Sequence, residues 1–411
     1  MRTSSFITAG FIKAGRIAAC LLLCMAWLLA GPAMAAPASG QPGEPRIGEL
    51  RIGVMTMQPG EIFWERFGHN ALVVDDPAQP TPVSYNYGFF DLAEPGFVWR
   101  FIRGEMQYQL VALPLEQDLA YYREVGRGVS MQWLDLAPAQ ARRLADALAV
   151  NARPENARYG YDYFTDNCST RVRDALDTVL DGGLQRQMSS RSRGNTYRSE
   201  AVRLASPAGW MWLGFDVGLG PFADRPLSRW QEAFVPMRLS DSLRGAMLPD
   251  GTPLVRGEME LLPHRIAPEP VERPRRTWPW LLMGLAMALV AALVPRRRDR
   301  IVAGFALPLW MLCGAVGLLL AFIWCCTAHR AGWANANLLL LSPLALLLLH
   351  GGWRVARGRA PGRWFRRWLV LVAAGALLAL PLQLFPGAQF QLPWIALLLP
   401  VHLAFAWRWR R

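Results

Sequence analysis

One cysteine and one histidine in the same predicted domain are the residue types that nucleophilic catalysis needs. Cys168 lies where a helix over about 171–180 is predicted to begin, and no other cysteine falls between the apolar N-terminal segment and the C-terminal apolar spans. A thiol at a helix N-terminus feels the partial positive charge of unpaired backbone N–H groups, which favours the thiolate. His69 precedes the run Ala71–Val74, which is typical of a strand. The pair predicts cysteine-nucleophile chemistry, in which the backbone N–H of Cys168 helps to hold an oxyanion.

Such chemistry also needs a polar group that orients the imidazole, and two residues are candidates. Asn86 and Asp91 belong to the aromatic run 83–91. If this run pairs with residues 69–74 across the proline-rich turn between them, both side chains come within reach of His69. The pattern does not choose between the two, and each also fits an ordinary role at the end or edge of a strand.

Other catalytic chemistries lack their motifs in this chain. The sequence contains no His-Glu-x-x-His, Cys-x-x-Cys or Gly-x-Ser-x-Gly. His264, the second histidine before the apolar spans, lies in a proline-flanked stretch and is expected to be incidental. We therefore expect neither a metal nor a cofactor.

The formal net charge of +13 invites a nucleic-acid hypothesis, but the charges are distributed unevenly. Between Pro37 and Thr277 the chain has 27 arginines against 30 acidic residues. The basic excess lies in the N-terminal segment and beside the C-terminal spans, where arginines cluster after alternate spans. That alternation is what the positive-inside rule predicts, so the basicity indicates membrane topology and not nucleic-acid binding.

The hydropathy pattern divides the chain into four parts. We expect an export signal over 1–36, an exported domain over 37–267, a linker over 268–277 and a membrane domain over 278–411. The membrane domain is predicted to have about five spans, at 278–294, 301–324, 338–352, 368–385 and 392–407. An odd number of spans places the exported domain outside and the C-terminus in the cytoplasm.

The pattern of the exported domain predicts an α+β fold. Strands are predicted at 49–57, 67–74, 83–90, 106–113 and 128–136, followed by a helix at 138–151 and the Cys168 helix. The stretch 209–226, rich in Gly, Trp and Phe, is left unassigned.

Polar residues also occur between the second and third spans, in 327–337. His329, Asn335 and Asn337 lie there on the exported side. They are either interfacial loop residues or a floor beneath the exported domain that contacts a lipid headgroup or acyl ester.

Three blocks of sequence resemble the Lnb-type bacterial proteins, a family with a member that is a lipoprotein N-acyltransferase. The blocks are Phe67-Gly68-His69-Asn70-Ala71-Leu72, Tyr85-Asn86-Tyr87-Gly88-Phe89-Phe90-Asp91, and Tyr163 with Asp166-Asn167-Cys168-Ser169-Thr170-Arg171. The segment Phe234-Val235-Pro236 and the His329/Asn337 loop extend the resemblance over nearly the whole chain after the export signal.

The resemblance implies a permuted papain-like fold, related to NlpC/P60, in which the histidine strand precedes the cysteine helix. Cys168 would be the nucleophile and His69 its base, with Asn86 or Asp91 orienting the ring. Substrate contacts are expected from Tyr85, Asn167, Arg171, His329 and Asn337. The partners implied are a phospholipid acyl donor and a lipoprotein N-terminus as acceptor, at the bacterial inner membrane with the catalytic domain in the periplasm.

Two alternatives stay open at this stage. A cysteine peptidase, amidase or lipid hydrolase of the same fold would use the same pair of residues on another envelope substrate. A non-enzymatic membrane module would keep Cys168 as a structural or redox-sensing thiol.

Overall fold

The computed structural model describes residues 48–190 and 193–410 of the chain. The export signal predicted for residues 1–36 lies outside these residues. The predicted strands and helices of the exported domain lie within them.

A seven-stranded sheet forms the centre of the N-terminal part within the described residues. The strands lie in the order β6-β4-β3-β2-β1-β5-β7, and every neighbouring pair is antiparallel. The strands are β1 Arg51–Met57, β2 His69–Asp75, β3 Val83–Phe89, β4 Gln107–Pro114, β5 Val129–Leu134, β6 Arg158–Gly160 and β7 Val255–Leu262.

The predicted pairing of the histidine strand with the following strand is confirmed. Leu72 of β2 lies opposite Tyr85 of β3, and Val74 lies opposite Val83. The proline-rich turn between them folds β3 back along β2, so residues near the start of β2 come close to residues near the end of β3.

Helices cover both faces of the sheet. They are α1 Phe97–Arg103, α2 Leu115–Glu124, α3 Pro138–Asn151, α4 Cys168–Val179, α5 Gly183–Ser189, α6 Tyr197–Ala205, α7 Gly209–Gly218, α8 Arg229–Glu232 and α9 Pro236–Arg244.

The alternation of side chains along β1 and β2 divides the core into two layers. Ile52, Val54 and Leu72 pack on one face against apolar residues of α3, α4 and α9. Met55 and Val73 pack on the other face against α2. The helix that carries Cys168 and the helix α2 therefore contribute to opposite layers of the same sheet.

The stretch left unassigned from the sequence contains a helix. It forms α7, followed by a 3₁₀ turn at Pro221–Asp224. Glycine is a poor helix former and tryptophan a modest one, and α7 is held by long-range contacts from α6 and from the membrane domain, which local pattern cannot reveal.

The membrane domain begins with α10 Trp278–Leu293 and α11 Asp299–Cys326, and continues with α12 Leu348–Ala356, α13 Arg363–Leu382 and α14 Leu392–Arg408. Among the described residues, three helical stretches are long and apolar enough to cross a membrane, 296–326, 336–356 and 363–382. The helices α10 and α14 are apolar but shorter. Length and composition thus support three of the five predicted spans.

The span predicted at 338–352 is not one continuous α-helix. It consists of 3₁₀ turns at Ala336–Leu339 and Pro343–Leu347 that lead into α12. Pro343 has no backbone N–H to donate, and the Ser342 hydroxyl accepts a bond from the N–H of Leu344 at 3.3 Å. The proline disfavours the helical conformation for Ser342, which is extended, and so separates the two turns.

Candidate active site

Cys168 is the first residue of α4, and its helix is held in place by the preceding asparagine. The Oδ1 of Asn167 accepts from the N–H groups of Ser169 and Thr170, both at 2.9 Å. Its Nδ2 donates to the carbonyls of Tyr163 and Phe234, also at 2.9 Å. Asn167, for which we expected a substrate contact, thus has its hydrogen-bonding capacity filled by the protein. As the N-cap residue of α4, Asn167 positions Cys168 at the helix N-terminus.

His69 faces Cys168 at the start of β2 and is oriented by Asn86. The Nε2 of His69 lies 3.0 Å from Oδ1 of Asn86. The Nδ2 of Asn86 donates to Oδ2 of Asp118 at 2.9 Å and to Oγ of Ser84 at 3.1 Å. Since a carboxylate only accepts, Asp118 requires the amide nitrogen of Asn86 to face it, and Oδ1 must face the histidine.

This orientation assigns the proton on His69. Because Oδ1 of Asn86 can only accept, Nε2 of His69 carries the hydrogen. The other ring nitrogen, Nδ1, is then free to accept the thiol proton of Cys168, with which His69 shares a side-chain hydrogen bond. The result is a chain that runs from Cys168 through His69 and Asn86 to Asp118.

The electrostatics of the pair favour a thiolate beside an imidazolium. Burial raises the pKa of Cys168, but the charge and hydrogen bond of His69, with the backbone N–H groups of Asn70 and Ser169, outweigh it and hold the pKa below its usual range. Burial lowers the pKa of His69, yet the charge and hydrogen bond of Cys168, followed by the charge of Asp118, raise it above its usual range. Both shifts activate the thiol as a nucleophile.

Gly88, on β3 beside the thiol, has φ +95°, a region that other residues rarely adopt. A Cβ at this position would lie 3.5 Å from Cβ of Cys168, which is ordinary van der Waals contact. The backbone conformation, more than a lack of space, therefore favours glycine at position 88.

The pair opens into a cavity of about 930 Å³. His69, Asn86, Asp118 and Cys168 contribute to its wall. Most of the remaining wall is aromatic or aliphatic, with side chains from Phe63, Trp64, Phe67, Phe89, Phe90, Phe97, Val98, Phe101, Tyr108, Tyr161, Tyr163, Phe215 and Phe234 among them. A cavity of this size and character suits an elongated apolar ligand.

Asp91, the other candidate for orienting His69, has a different role. It is exposed at the rim of the cavity, and its Oδ1 accepts from the N–H of Ala93 at 2.8 Å. Asp91 therefore shapes the turn after β3, and the bond to the imidazole comes from Asn86.

Tyr85 and Arg171, both expected to contact substrate, lie in other surroundings. Tyr85 packs beside Leu72 in the core layer between the sheet and the helices α3, α4 and α9. The guanidinium of Arg171 pairs with Asp166 at 2.7 Å and lies 4.0 Å from the ring centroid of Tyr159. Both residues support the layer beneath Cys168.

His329 and Asn337 join the membrane domain to the exported domain. The Nε2 of His329 donates to the carbonyl of Phe101 at 2.9 Å, and its ring stacks on Tyr163 with centroids 6.2 Å apart. The Nδ2 of Asn337 donates to the carbonyl of Val217 at 3.0 Å. These contacts hold the loop against the exported domain through backbone carbonyls, and the expected contact of the loop with a lipid headgroup or acyl ester stays a prediction.

Asp118 was not singled out from the sequence, although it completes the chain behind His69. It is buried on α2, on the same side of the helix as the buried residues Leu119 and Tyr122. An acid on the apolar face of an amphipathic helix was the available signal, because buried carboxylates need partners. The carbonyl of Phe234 was also missed as the anchor of Asn167.

Within residues 48–190 and 193–410, no group of three or more His, Cys, Asp or Glu side chains could hold a metal ion. The chemistry described above uses side chains and backbone N–H groups only.

Comparison with known families gives two matches along the chain. Residues 46–202 match the model of the Lnb N-terminal periplasmic domain, and residues 273–408 match the model of the Lnb transmembrane domain. No curated protein and no solved structure matches the chain. The first match contains Cys168, His69, Asn86 and Asp118, and the second contains His329 and Asn337.

Proposed function

This chain belongs to the Lnb family, and we propose that it is a membrane-bound acyltransferase acting on bacterial lipoproteins. It takes a fatty acyl group from a phospholipid, holds it as a thioester on Cys168 and passes it to the N-terminal amine of a lipoprotein. The observation that carries the proposal is the activated thiol at the wall of a large apolar cavity. The periplasmic domain would be a permuted papain-like fold.

In the first half of the reaction, Nδ1 of His69 accepts the proton of Cys168. The thiolate attacks the ester carbonyl carbon of the phospholipid, and the carbonyl oxygen becomes an oxyanion. Cys168 is the first residue of its helix, so its N–H has no intrahelical acceptor and can stabilise that oxyanion. The ester C–O bond then breaks, His69 returns the proton to the leaving oxygen, and a lysophospholipid departs.

In the second half, the α-amine of the lipoprotein's lipid-modified N-terminal cysteine attacks the thioester carbonyl. His69 accepts a proton from the amine, the C–S bond breaks, and the thiolate is restored as the amide forms. Both substrates are confined to one leaflet, so anchoring the catalytic domain to the membrane raises their effective concentration.

The cavity supports a lipid substrate more than a cell-wall peptide. An acyl chain that passes from the bilayer into this cavity exchanges one apolar surrounding for another, so its methylenes avoid the cost of about 0.8 kcal/mol each that exposure to water would bring. A wall peptide would leave many polar groups facing aromatic side chains without partners.

The test is an intact-mass measurement on the detergent-purified protein after incubation with phospholipid. We expect a fatty-acyl increment on the wild type that hydroxylamine removes, and complete loss of the increment in Cys168→Ala. Cys325→Ser removes an exposed thiol at the end of α11 and serves as the matched control, which should keep the increment.

An increment that persists in Cys168→Ala would refute the thioester assignment. If no phospholipid modifies the wild type but cell-wall peptides are cleaved in a Cys168-dependent way, the protein is a peptidase of this fold.

A further inference from the structure

Three segments around the mouth of the cavity expose large apolar side chains. They are the 3₁₀ turn Phe63–Glu65, α1 and α7. Trp64 is 48% exposed, Trp99 on α1 is 60% exposed and Trp210 on α7 is 69% exposed. Contiguous apolar surface of this kind is rare on a soluble domain and marks a site of interaction.

The three segments form one continuous surface, which we call the aromatic rim. Phe63 stacks on Trp210 with ring centroids 5.9 Å apart, which joins the turn to α7. Trp64 contacts Phe90 at 5.7 Å, and Phe90 stacks on Phe97 of α1 at 5.5 Å. Residues of all three segments line the cavity, so the rim is the edge of the opening that leads to Cys168.

The α1 side of the rim is attached to the end of a membrane helix. The N–H of Ala328 donates to the carbonyl of Arg103 at 2.7 Å, and His329 donates to the carbonyl of Phe101 at 2.9 Å. Ala328 lies two residues after Cys326, the last residue of α11. Helix α1 is therefore held at the level where a membrane-spanning helix leaves the bilayer.

The α7 side is attached to the first turns of two other membrane helices. Trp212 stacks on Trp280 of α10 with centroids 6.2 Å apart, and Nε1 of Trp394 on α14 donates to Asp216 at 3.0 Å. The Nδ2 of Asn335 donates to the carbonyl of Val217 at 2.8 Å at the end of α7. Both α1 and α7 thus lie at one boundary of the membrane domain.

We propose that the aromatic rim inserts into the outer leaflet of the inner membrane, so that the cavity opens sideways into lipid. The occupant of this surface is the acyl region of a phospholipid bilayer, and the surface is continuous with the apolar exterior of the membrane domain. Tryptophan at this depth is the side chain that membrane interfaces favour. Helix α1, with Val98, Trp99 and Ile102 exposed, would lie along the interface.

This inference adds a route for the lipid to the proposed function. That the lipid is a substrate rests on the proposed function itself. An acyl chain that left the bilayer through water would expose its methylenes at about 0.8 kcal/mol each. A rim immersed in the leaflet lets the chain pass from lipid to cavity without that exposure. The reacting ester would reach Cys168 at headgroup depth.

The experiment measures the depth of single spin labels in the full-length protein in phosphatidylethanolamine–phosphatidylglycerol liposomes. Labels are placed at Trp99→Cys and, separately, at Val98→Cys, in a background that replaces all six native cysteines: Cys20→Ser, Cys24→Ser, Cys168→Ala, Cys313→Ala, Cys325→Ser and Cys326→Ser. The control is Val150→Cys on α3, an exposed apolar position on a helix that packs against α4 and the sheet. Collision rates with oxygen, which partitions into lipid, are compared with those of a water-soluble nickel complex.

We expect oxygen collisions to dominate at positions 98 and 99 and nickel collisions to dominate at position 150. Nickel-dominated collisions at both 98 and 99 would overturn the proposal, and so would identical ratios at all three positions. Because the labelled protein lacks Cys168, this result is independent of the acyltransferase. If the wild type forms a thioester but positions 98 and 99 are exposed to water, only the membrane insertion of the aromatic rim is refuted. If the rim is inserted in lipid but no thioester forms, only the acyl transfer is refuted.

Discussion

The chain has two clusters of histidine and asparagine, and they differ in the groups that their side chains contact. At the start of β2, His69 bonds to the side chains of Cys168 and Asn86, and Asn86 bonds to Asp118. In the loop 327–337, His329, Asn335 and Asn337 donate to backbone carbonyls of α1 and α7.

The difference separates a candidate catalytic hydrogen-bond chain from a set of contacts that joins two segments of the protein. Side chains that titrate change one another's pKa, as Cys168 and His69 do. The bonds of the second cluster go to backbone carbonyls, which do not titrate, and these bonds hold two segments together. The kind of partner, more than the residue type, distinguishes candidate chemistry from architecture.

The largest expected effect on thioester formation is that of His69→Ala, compared with the same substitution at His329. His69→Ala removes the base and should lower the rate of thioester formation by about 10²–10⁴-fold. It also removes the charge and the hydrogen bond of His69, which lower the pKa of Cys168 most, and leaves burial, which raises that pKa, opposed only by the backbone N–H groups of Asn70 and Ser169. The pH at which iodoacetamide begins to alkylate Cys168 should therefore move upward.

His329→Ala is the matched control for that experiment. It loses one bond to the carbonyl of Phe101 and should leave the pH profile of Cys168 alkylation unchanged. An equal upward shift in both variants would remove the distinction between the clusters.

The asparagines should separate the clusters by a smaller margin. Asn86→Ala removes a hydrogen bond to a charged imidazolium, at about 1.5–3 kcal/mol, which corresponds to about a 10- to 100-fold lower rate of thioester formation. Asn335→Ala instead removes an amide that donates to the carbonyls of Val217, Gly218 and Leu219 at the end of α7, and it should lower the apparent Tm of the detergent-purified protein by a few degrees.

Two measurements on both variants check this, the rate of thioester formation and the apparent Tm. A fall in rate for Asn335→Ala at temperatures well below its Tm, with an unchanged rate for Asn86→Ala, would reverse the assignment of the two clusters.

Much of the sheet could be predicted because its signals are local. The alternation in 51–57, the aromatic run 83–89 and the proline-rich turn before it are all visible in the sequence, and the helix predicted at 138–151 has those limits in the structure. Cys168 and His69 were predicted from residue type and spacing, and this strand pairing left Asn86 and Asp91 as the two candidates for orienting the imidazole, of which Asn86 contacts it in the structure.

The features that were missed depend on long-range contacts. Asp118 bonds to Asn86 across 32 residues, and α7 is held by side chains more than 100 positions further along the chain. The roles expected for Tyr85, Asn167 and Arg171 came from their place in shared motifs. A motif marks residues that position Cys168 as readily as residues that touch a substrate, and Asn167 is the clear case.

The smallest expected effect on the pKa of Cys168 comes from Asp118, which ends the hydrogen-bond chain through Asn86 and His69. The carboxylate of Asp118 raises the pKa of His69, so Asp118→Asn should lower that pKa. A less basic imidazole stabilises the Cys168 thiolate less, and the pKa of the thiol should rise. We therefore expect the alkylation profile to move upward, in the same direction as for His69→Ala but by a smaller amount.

Asp91→Asn provides the comparison, because Asp91 is an exposed residue of the cavity wall and its carboxylate accepts from the N–H of Ala93. The measurement is the alkylation rate of Cys168 across pH for wild type and both variants. An unchanged or downward-shifted profile in Asp118→Asn would exclude Asp118 from the chain. An equal upward shift in both variants would mean that the general negative charge near the cavity, and not the path through Asn86, controls the histidine.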